Sequence, residues 1–130
     1  MTDVVETSLG NVTVLCHVND IEEGASKGFL ENDAGHDLFF VVKQEGQLYA
    51  WRNACPHVDG APMAWRKDAY MDAQKIHVTC HAHGALFEPK TGLCIQGPCL
   101  GQRLEKIPLH VSEAGEVSIL FADIHSRNGL

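Results

Sequence analysis

The sequence has no long hydrophobic run and little positive charge. It contains no stretch of about 18 apolar residues, so we expect neither a spanning helix nor a membrane partner. Lys and Arg number 10 against 17 Asp and Glu, and the net charge of −7 argues against nucleic acid as a partner. An acidic surface suits a protein partner with a basic docking face instead.

Several motifs are also missing. Met1 is followed by acidic and polar residues and not by a basic stretch and an apolar run, so we expect no signal peptide. The expected location is therefore the reducing cytoplasm. The chain shows no internal repeat, no Ser-His-Asp arrangement and no phosphate-binding glycine loop, so it does not suggest a hydrolase or a nucleotide-binding enzyme.

Short apolar runs, separated by Gly, Pro and Asp about every ten residues, predict an all-β sandwich or barrel. A length of 130 residues suits one domain. The polar tail, residues 123–130, is expected to fray. The predicted strands cover residues 12–18, 29–31, 37–43, 47–53, 69–71, 75–79, 85–88, 93–95, 104–111 and 116–121.

Two short stretches carry the metal-binding chemistry, Cys55-Pro56-His57 and Cys80-His81-Ala82-His83. A zinc finger pairs Cys with Cys in one arm and His with His in the other. Here each arm offers one thiolate and one imidazole, which suits a [2Fe–2S] centre with one iron on two thiolates and the other on two imidazoles. A zinc site, or core thiols with surface histidines, remain the alternatives.

At these residues the sequence resembles the Rieske family. The family pattern is C-x-H, then C-x-x-H-G, followed by an aromatic residue, a Thr-Gly turn and a Gly-Pro loop. Those later features are Gly84, Phe87, Thr91-Gly92 and Gly97-Pro98, and the resemblance spans roughly residues 47–117. It implies a Rieske-like antiparallel β sandwich or barrel, with residues 1–130 as a single Rieske domain and a small cluster-binding lobe at about residues 55–101.

The resemblance also implies the role of each ligand. Cys55 and Cys80 bind the inner iron of the [2Fe–2S] cluster, and His57 and His83 bind the outer iron, near the surface. One departure from the family is visible, because 22 residues separate His57 from Cys80, more than is usual in small members. We therefore expect an insertion in the 58–79 segment, around residues 62–68.

Four positions bear on the reduction potential. High-potential family members carry an extra cysteine pair in the ligand loops, a Ser just after the H-G, and a Tyr two residues later. These positions are occupied here by Gly60, Ala82, Ala85 and Phe87. Without those hydroxyl donors to the cluster, we expect a low-potential centre, towards the lower end of the range from about −150 to +300 mV.

The remaining cysteines and tryptophans have simpler expected roles. Cys16 lies in an apolar run and is expected to be a buried hydrophobe. Cys94 and Cys99 are spaced so that a disulfide is geometrically possible, but a reducing cytoplasm would oppose it. Trp51 is expected in the core, whereas Trp65 suits docking, cluster shielding or local packing equally. His81 is expected to be a solvated loop residue. The other histidines show no ligand spacing and are expected at the surface: His17, His36, His77, His110 and His125.

These features together predict a soluble one-electron carrier, a Rieske-type ferredoxin. It would take electrons from a flavoprotein reductase and pass them to a terminal oxygenase or another redox protein. The alternative is the small Rieske-like subunit of a nitrite reductase or another oxidoreductase complex. The chain ends about 30 residues after the lobe, so we expect no catalytic-iron domain of a ring-hydroxylating oxygenase.

Overall fold

The computed structural model describes residues 12–31, 35–56, 63–64, 68–80 and 84–120. Within these ranges the chain is almost entirely β, with one short 3₁₀ turn at Val18–Asp20, which confirms the predicted fold class. No helix in this part of the chain is long and apolar enough to cross a bilayer. The strands are β1 (Val12–His17), β2 (Ser26–Glu31), β3 (Asp37–Gln44), β4 (Gln47–Arg52), β5 (Val78–Cys80), β6 (Ala85–Phe87), β7 (Cys94–Gln96), β8 (His110–Val111) and β9 (Glu116–Leu120).

The strands form three antiparallel sheets of three strands each. Their orders are β2-β3-β4, β1-β9-β8 and β5-β6-β7. The second sheet joins the two ends of the described chain, because β9 pairs with both β1 and β8, as predicted for the C-terminal strands. The third sheet falls inside the segment predicted as the cluster-binding lobe.

Strand β3 lies between two hydrophobic cores. Side chains alternate across a strand, so neighbouring residues face opposite sides. Phe39 and Val41 join one core, whereas Phe40 and Val42 join the other, and all four are fully buried. A strand that is buried on both faces reads as a continuous apolar run, which is what residues 38–42 show.

The hairpin between β3 and β4 has a two-residue turn. Gln44 pairs with Gln47 across it, and the two turn residues, Glu45 and Gly46, have φ values of 53° and 78°. Two positive φ angles match the twist of the strands in a type I′ turn. The predicted strands 37–43 and 47–53 therefore form a hairpin, and β4 ends three residues before Cys55, the first candidate ligand.

Two predicted strands are wrong. Residues 104–111 form only the two-residue β8 plus an isolated bridge, Trp51 to Lys106. Pro108 lies in this segment and has no backbone N–H for a ladder. Residues 69–71 likewise make a single bridge, Met71 to Val78, and the predicted 75–79 strand lies at Val78–Cys80 instead.

The polar start of β2 was missed by the sequence. Ser26 and Lys27 pair with Val42 and Val41, so β2 begins three residues before the predicted strand. Strand β2 is longer than predicted because these two residues pair with β3, and the apolar pattern does not predict such pairing. Cys16 is half-buried and not fully buried as predicted. The tail, residues 123–130, lies outside the described residues.

Candidate metal centre

The first ligand segment continues from the end of β4. Asn53 donates its backbone N–H to the Leu38 carbonyl at 3.0 Å, which extends the β3–β4 ladder by one step. Cys55 follows two residues later and is buried, with 1% of its surface exposed. A strand end thus holds the backbone just before the first candidate thiol.

The Asn53 side chain joins the two ends of the first ligand segment. Its Nδ2 donates to the Asp37 carbonyl at 2.9 Å, and its Oδ1 accepts the Met63 N–H at 2.7 Å. Asn53 and Met63 are both buried. Asn53 immediately precedes residues 54–62, and its side chain bonds to Met63, which immediately follows them. This bond restrains the two ends of the segment that contains Cys55 and His57.

One buried residue, Asp37, supports both ligand segments, the first through its backbone carbonyl and the second through its carboxylate. The Tyr70 hydroxyl donates to Asp37 Oδ2 at 2.6 Å, and Asp37 is only 6% exposed. Burial, followed by the hydrogen bond and the charge of Asp37, raises the pKa of Tyr70 far above its usual range. The Tyr70 carbonyl accepts the N–H of Thr79, the residue before Cys80. Asp37 therefore connects to the first ligand segment through Asn53 and to the second through Tyr70.

No sequence motif points to Asp37, Asn53 or Tyr70 as part of the site. An Asn at a strand end and a Tyr beside a polar turn carry no spacing signal for a ligand site. Only the packing that brings β3 against residues 68–70 makes them partners. The stacked rings of Phe40 and Tyr70, with centroids 4.1 Å apart, are part of that packing.

The second ligand segment is the connection between β5 and β6. Cys80 is the last residue of β5, is 1% exposed, and pairs with Ala85 of β6. Gly84 donates its N–H to the Cys80 carbonyl at 2.8 Å and has a φ of 70°, a conformation that favours glycine. The hairpin thus closes immediately around residues 81–83.

Two further contacts attach the cluster-binding lobe to Trp51 of β4. Trp51 is buried, as predicted, and its Nε1 donates to the Pro89 carbonyl at 2.9 Å. Gly92 has a φ of 74° and lies against the Trp51 ring, where an added Cβ would come within 2.7 Å of the ring carbons. The predicted Thr91-Gly92 turn is therefore also a packing contact with β4.

The end of the expected insertion is tied to β2. The Asp68 carboxylate accepts the Gly28 N–H at 2.7 Å, and its carbonyl accepts the Ser26 hydroxyl at 2.7 Å. Trp65 and most of the proposed insertion lie outside the described residues.

The structure brings Cys55 and Cys80 into one buried core. His57, His81 and His83 lie outside the described residues, as do Gly60 and Ala82. Within the described ranges no group of three or more His, Cys, Asp or Glu side chains could hold a metal ion. The two buried thiols fit the sulfur half of the predicted donor set, because thiolates are the usual protein ligands of an iron–sulfur cluster.

The thiols of Cys94 and Cys99 also lie in this core. Burial, then the hydrogen bond to Cys94, raises the pKa of Cys99 to about 12. Burial raises the pKa of Cys16 as well. His77 is half-buried and lies 3.5 Å from Asp72, so the prediction that it is a surface residue is wrong. His17 is exposed, as predicted.

The antiparallel sheets and the two buried thiols are compatible with a β domain that binds an iron–sulfur cluster, and the family comparison shows which class it is. Residues 11–113 match the Rieske [2Fe–2S] domain. The chain belongs to the Rieske [2Fe–2S] domain family. Its cofactor is a [2Fe–2S] cluster, and the chain is an electron-transfer protein.

Similar proteins fall into two groups. Apoptosis-inducing factor 3 of mouse and of human are each 35% identical over 78 residues, which is 60% of this chain but only 11% of those proteins. The chain thus spans about a tenth of the length of these curated relatives.

Two of the similar solved structures come from carbazole 1,9a-dioxygenase. The ferredoxin of carbazole 1,9a-dioxygenase from Nocardioides aromaticivorans IC177 is 20% identical, with a TM-score of 0.61 over 84% of this chain and 96% of its own. A chain in the complex of reduced oxygenase and oxidised ferredoxin in carbazole 1,9a-dioxygenase is 25% identical, with a TM-score of 0.62 over 84% of this chain and 92% of its own. These likenesses agree on the fold.

Proposed function

We propose that the protein is a non-enzymatic one-electron carrier in which Cys55 and Cys80 hold one iron and His57 and His83 hold the other. The observation that carries this proposal is the burial of Cys55 and Cys80, each 1% exposed, in one core at the ends of two strand-bounded segments. When bound, the cluster supplies one-electron chemistry.

The described residues contribute rigidity. Asn53 restrains the first ligand segment, and the Thr79 hydrogen bond to Tyr70 restrains the second. Both restraints lead back to the buried Asp37. Ligands whose supports are themselves fixed by packing and hydrogen bonds move little when the charge of the site changes. The arrangement therefore favours fast electron transfer with little rearrangement.

The partners we propose are a flavoprotein reductase as donor and a terminal oxygenase as acceptor. The likeness to a chain in the complex of reduced oxygenase and oxidised ferredoxin in carbazole 1,9a-dioxygenase supports the oxygenase as acceptor. The net charge of −7 suits docking to basic faces of both partners. Residues 1–130 would act as one domain with a cluster lobe at about 55–101, in the cytoplasm, where free thiols persist.

A second candidate is a Rieske module within a larger oxidoreductase complex, such as the small subunit of a nitrite reductase. The match to a small part of apoptosis-inducing factor 3 favours it, because there a similar segment is about a tenth of a long protein.

An anaerobic electron-transfer assay separates these candidates. The purified protein is mixed with a flavoprotein reductase and reduced nicotinamide cofactor, and bleaching of its visible bands is followed before and after a terminal oxygenase is added. A carrier bleaches and is then reoxidised by the oxygenase. A red-brown protein that exchanges electrons only within a stable complex would favour the second candidate, and a colourless zinc protein would contradict both.

The midpoint potential is expected to be low. Ala85 and Phe87 occupy the positions where high-potential members carry hydroxyl donors, and both are fully buried. Without those hydrogen bonds the reduced cluster is less stabilised. A redox titration followed by the rhombic EPR signal of the reduced state measures the midpoint. A value above about +100 mV would contradict the prediction.

Restoring the hydroxyls tests the cause. The double variant Ala85→Ser with Phe87→Tyr is expected to raise the midpoint by about 60–130 mV for each hydroxyl that bonds to the cluster. A hydrogen bond to a charged group is worth about 1.5–3 kcal/mol, and about 1.4 kcal/mol corresponds to 59 mV for one electron. Ala50→Ser is the matched control, because Ala50 is buried in the other core. An equal rise in the control would show that the effect is not local to the lobe.

A further inference from the structure

Two cysteines outside the proposed ligand set lie in contact. Cys94 is the first residue of β7, and Cys99 lies in the turn that follows. Their Sγ atoms are 2.9 Å apart, and both residues are essentially unexposed. A disulfide has an S–S distance of about 2.05 Å, so less than about 1 Å of movement separates the two thiols from a covalent bond.

The backbone around the pair is already closed into a loop. Gly101 donates its N–H to the Cys94 carbonyl at 3.1 Å, and Gln102 donates to the Cys99 carbonyl at 2.8 Å. Cys94 in turn donates its N–H to the Gln102 carbonyl at 2.8 Å. These bonds hold the two cysteine backbones together without any covalent link, so bond formation would not require the loop to rearrange.

The turn also packs tightly on the second ligand hairpin. Gly97 has a φ of 110°, and an added Cβ there would come within 2.8 Å of the Ala85 Cα. Ala85 pairs directly with Cys80. Cys94 and Cys99 also belong to the same buried core as Cys55 and Cys80. The turn that carries the pair therefore contacts the strand partner of one candidate ligand, and the pair shares a core with both.

We propose that Cys94 and Cys99 form a reversible thiol–disulfide couple, a two-electron site separate from the cluster. The oxidant we assign is a low-molecular-weight disulfide such as oxidised glutathione. One protein thiol attacks the disulfide and releases one small thiol, and the second protein thiol then displaces the other. The two Cys S–H bonds are broken, one S–S bond forms, and both protons and both electrons leave in two molecules of small thiol.

The couple can be read from a single tryptic peptide. The peptide 91–103 contains Cys94 and Cys99 and no other cysteine, whereas Cys16, Cys55 and Cys80 fall on other peptides. Purified cluster-loaded protein is incubated anaerobically in glutathione buffers of increasing oxidised fraction, quenched with acid and digested. We expect this peptide to lose the mass of two hydrogens progressively, and to regain it after reduction, while the visible absorption of the cluster is kept.

Three variants sharpen the result. Cys16→Ser is the matched control and is expected to leave the behaviour of the 91–103 peptide unchanged. Cys94→Ser and Cys99→Ser are each expected to abolish the two-hydrogen loss, and any oxidation then appears as a mixed disulfide with glutathione. Diamide, a small neutral azo oxidant of thiols, serves as a second reagent in case glutathione reaches the buried pair slowly.

Two outcomes would overturn the proposal. In the first, the peptide stays fully reduced with both glutathione and diamide. In the second, the two-hydrogen loss appears only as the visible absorption of the cluster disappears, which would mean that the pair forms in an unfolded chain.

Discussion

Replacing His83, one of the two proposed imidazole ligands, by Cys is expected to keep a [2Fe–2S] cluster but to lower its midpoint by roughly 125 mV, half of the difference between a Rieske centre and an all-cysteine cluster. All-cysteine plant-type clusters lie near about −400 mV, whereas Rieske centres begin at about −150 mV. A thiolate adds negative charge where a neutral imidazole would stand, so the reduced state is disfavoured. The measurement is a redox titration with EPR detection, in which the reduced signal should also change shape.

His81→Cys is the matched control for this experiment. His81 is two residues away in the same short connection between β5 and β6, and it leaves His83 in place. We expect the midpoint of this variant to stay close to that of the parent protein. An unchanged midpoint in His83→Cys, or the same large drop in His81→Cys, would contradict the ligand assignment.

Gly28→Ala is expected to destabilise the fold by more than about 4 kcal/mol, the range that marks an exceptional point mutation. An added Cβ at Gly28 would lie 1.7 Å from Asp37 Oδ2 and 2.2 Å from its Cγ. Asp37 is buried and bonded to Tyr70, so it cannot move aside without losing that partner. Urea unfolding of the variant and its parent measures the change.

The same variant is expected to incorporate less cluster. The Asp37 carboxylate connects to the second ligand segment through Tyr70, so displacing it loosens the support of Cys80. The ratio of visible to protein absorbance in the purified variant measures the occupied fraction. A clash in β2 is thus expected to reduce cluster binding in a lobe that does not include β2.

Two comparisons isolate the clash. Gly46→Ala has nothing within 4 Å of its added Cβ but a φ of 78°, and it is expected to lose only about 1–2 kcal/mol for the left-handed backbone. In Gly28→Ala combined with Asp37→Ala, the second substitution removes the carboxylate that the new Cβ would meet, so the two single effects should not add. A loss in Gly28→Ala no larger than in Gly46→Ala, or full additivity in the double variant, would show that the contact with Asp37 is not the cause.

The buried Asp37 forms a small polar network with Asn53 and Tyr70 beside an apolar core. A carboxylate removed from water is tolerated when its oxygens are hydrogen-bonded. Here the Tyr70 hydroxyl supplies one such bond, and the Tyr70 ring at the same time stacks on Phe40. The network therefore orients one element relative to another, which apolar packing alone does less specifically.

Much of the fold followed from local pattern. The apolar run at residues 37–43 predicted a strand, and Gln44-Glu45-Gly46 predicted its hairpin, because an apolar run and a turn are properties of neighbouring residues. The failures were segments whose pairing depends on a distant partner. Residues 104–111 read as a strand but pair only at one bridge and in the two-residue β8. Ser26 and Lys27 read as a loop but pair with β3.

The sequence by itself predicted the class of the centre, because the donor chemistry proposed for Cys55, His57, Cys80 and His83 depends only on residue type and spacing. Only the tertiary structure decided what holds it: the Asn53 bond to Met63, the approach of Tyr70 to Asp37, and the contact between Cys94 and Cys99. The physical reason is that a hydrogen bond or a thiol contact acts over about 3–4 Å, and only the packing of sheets brings groups from separate segments within that distance.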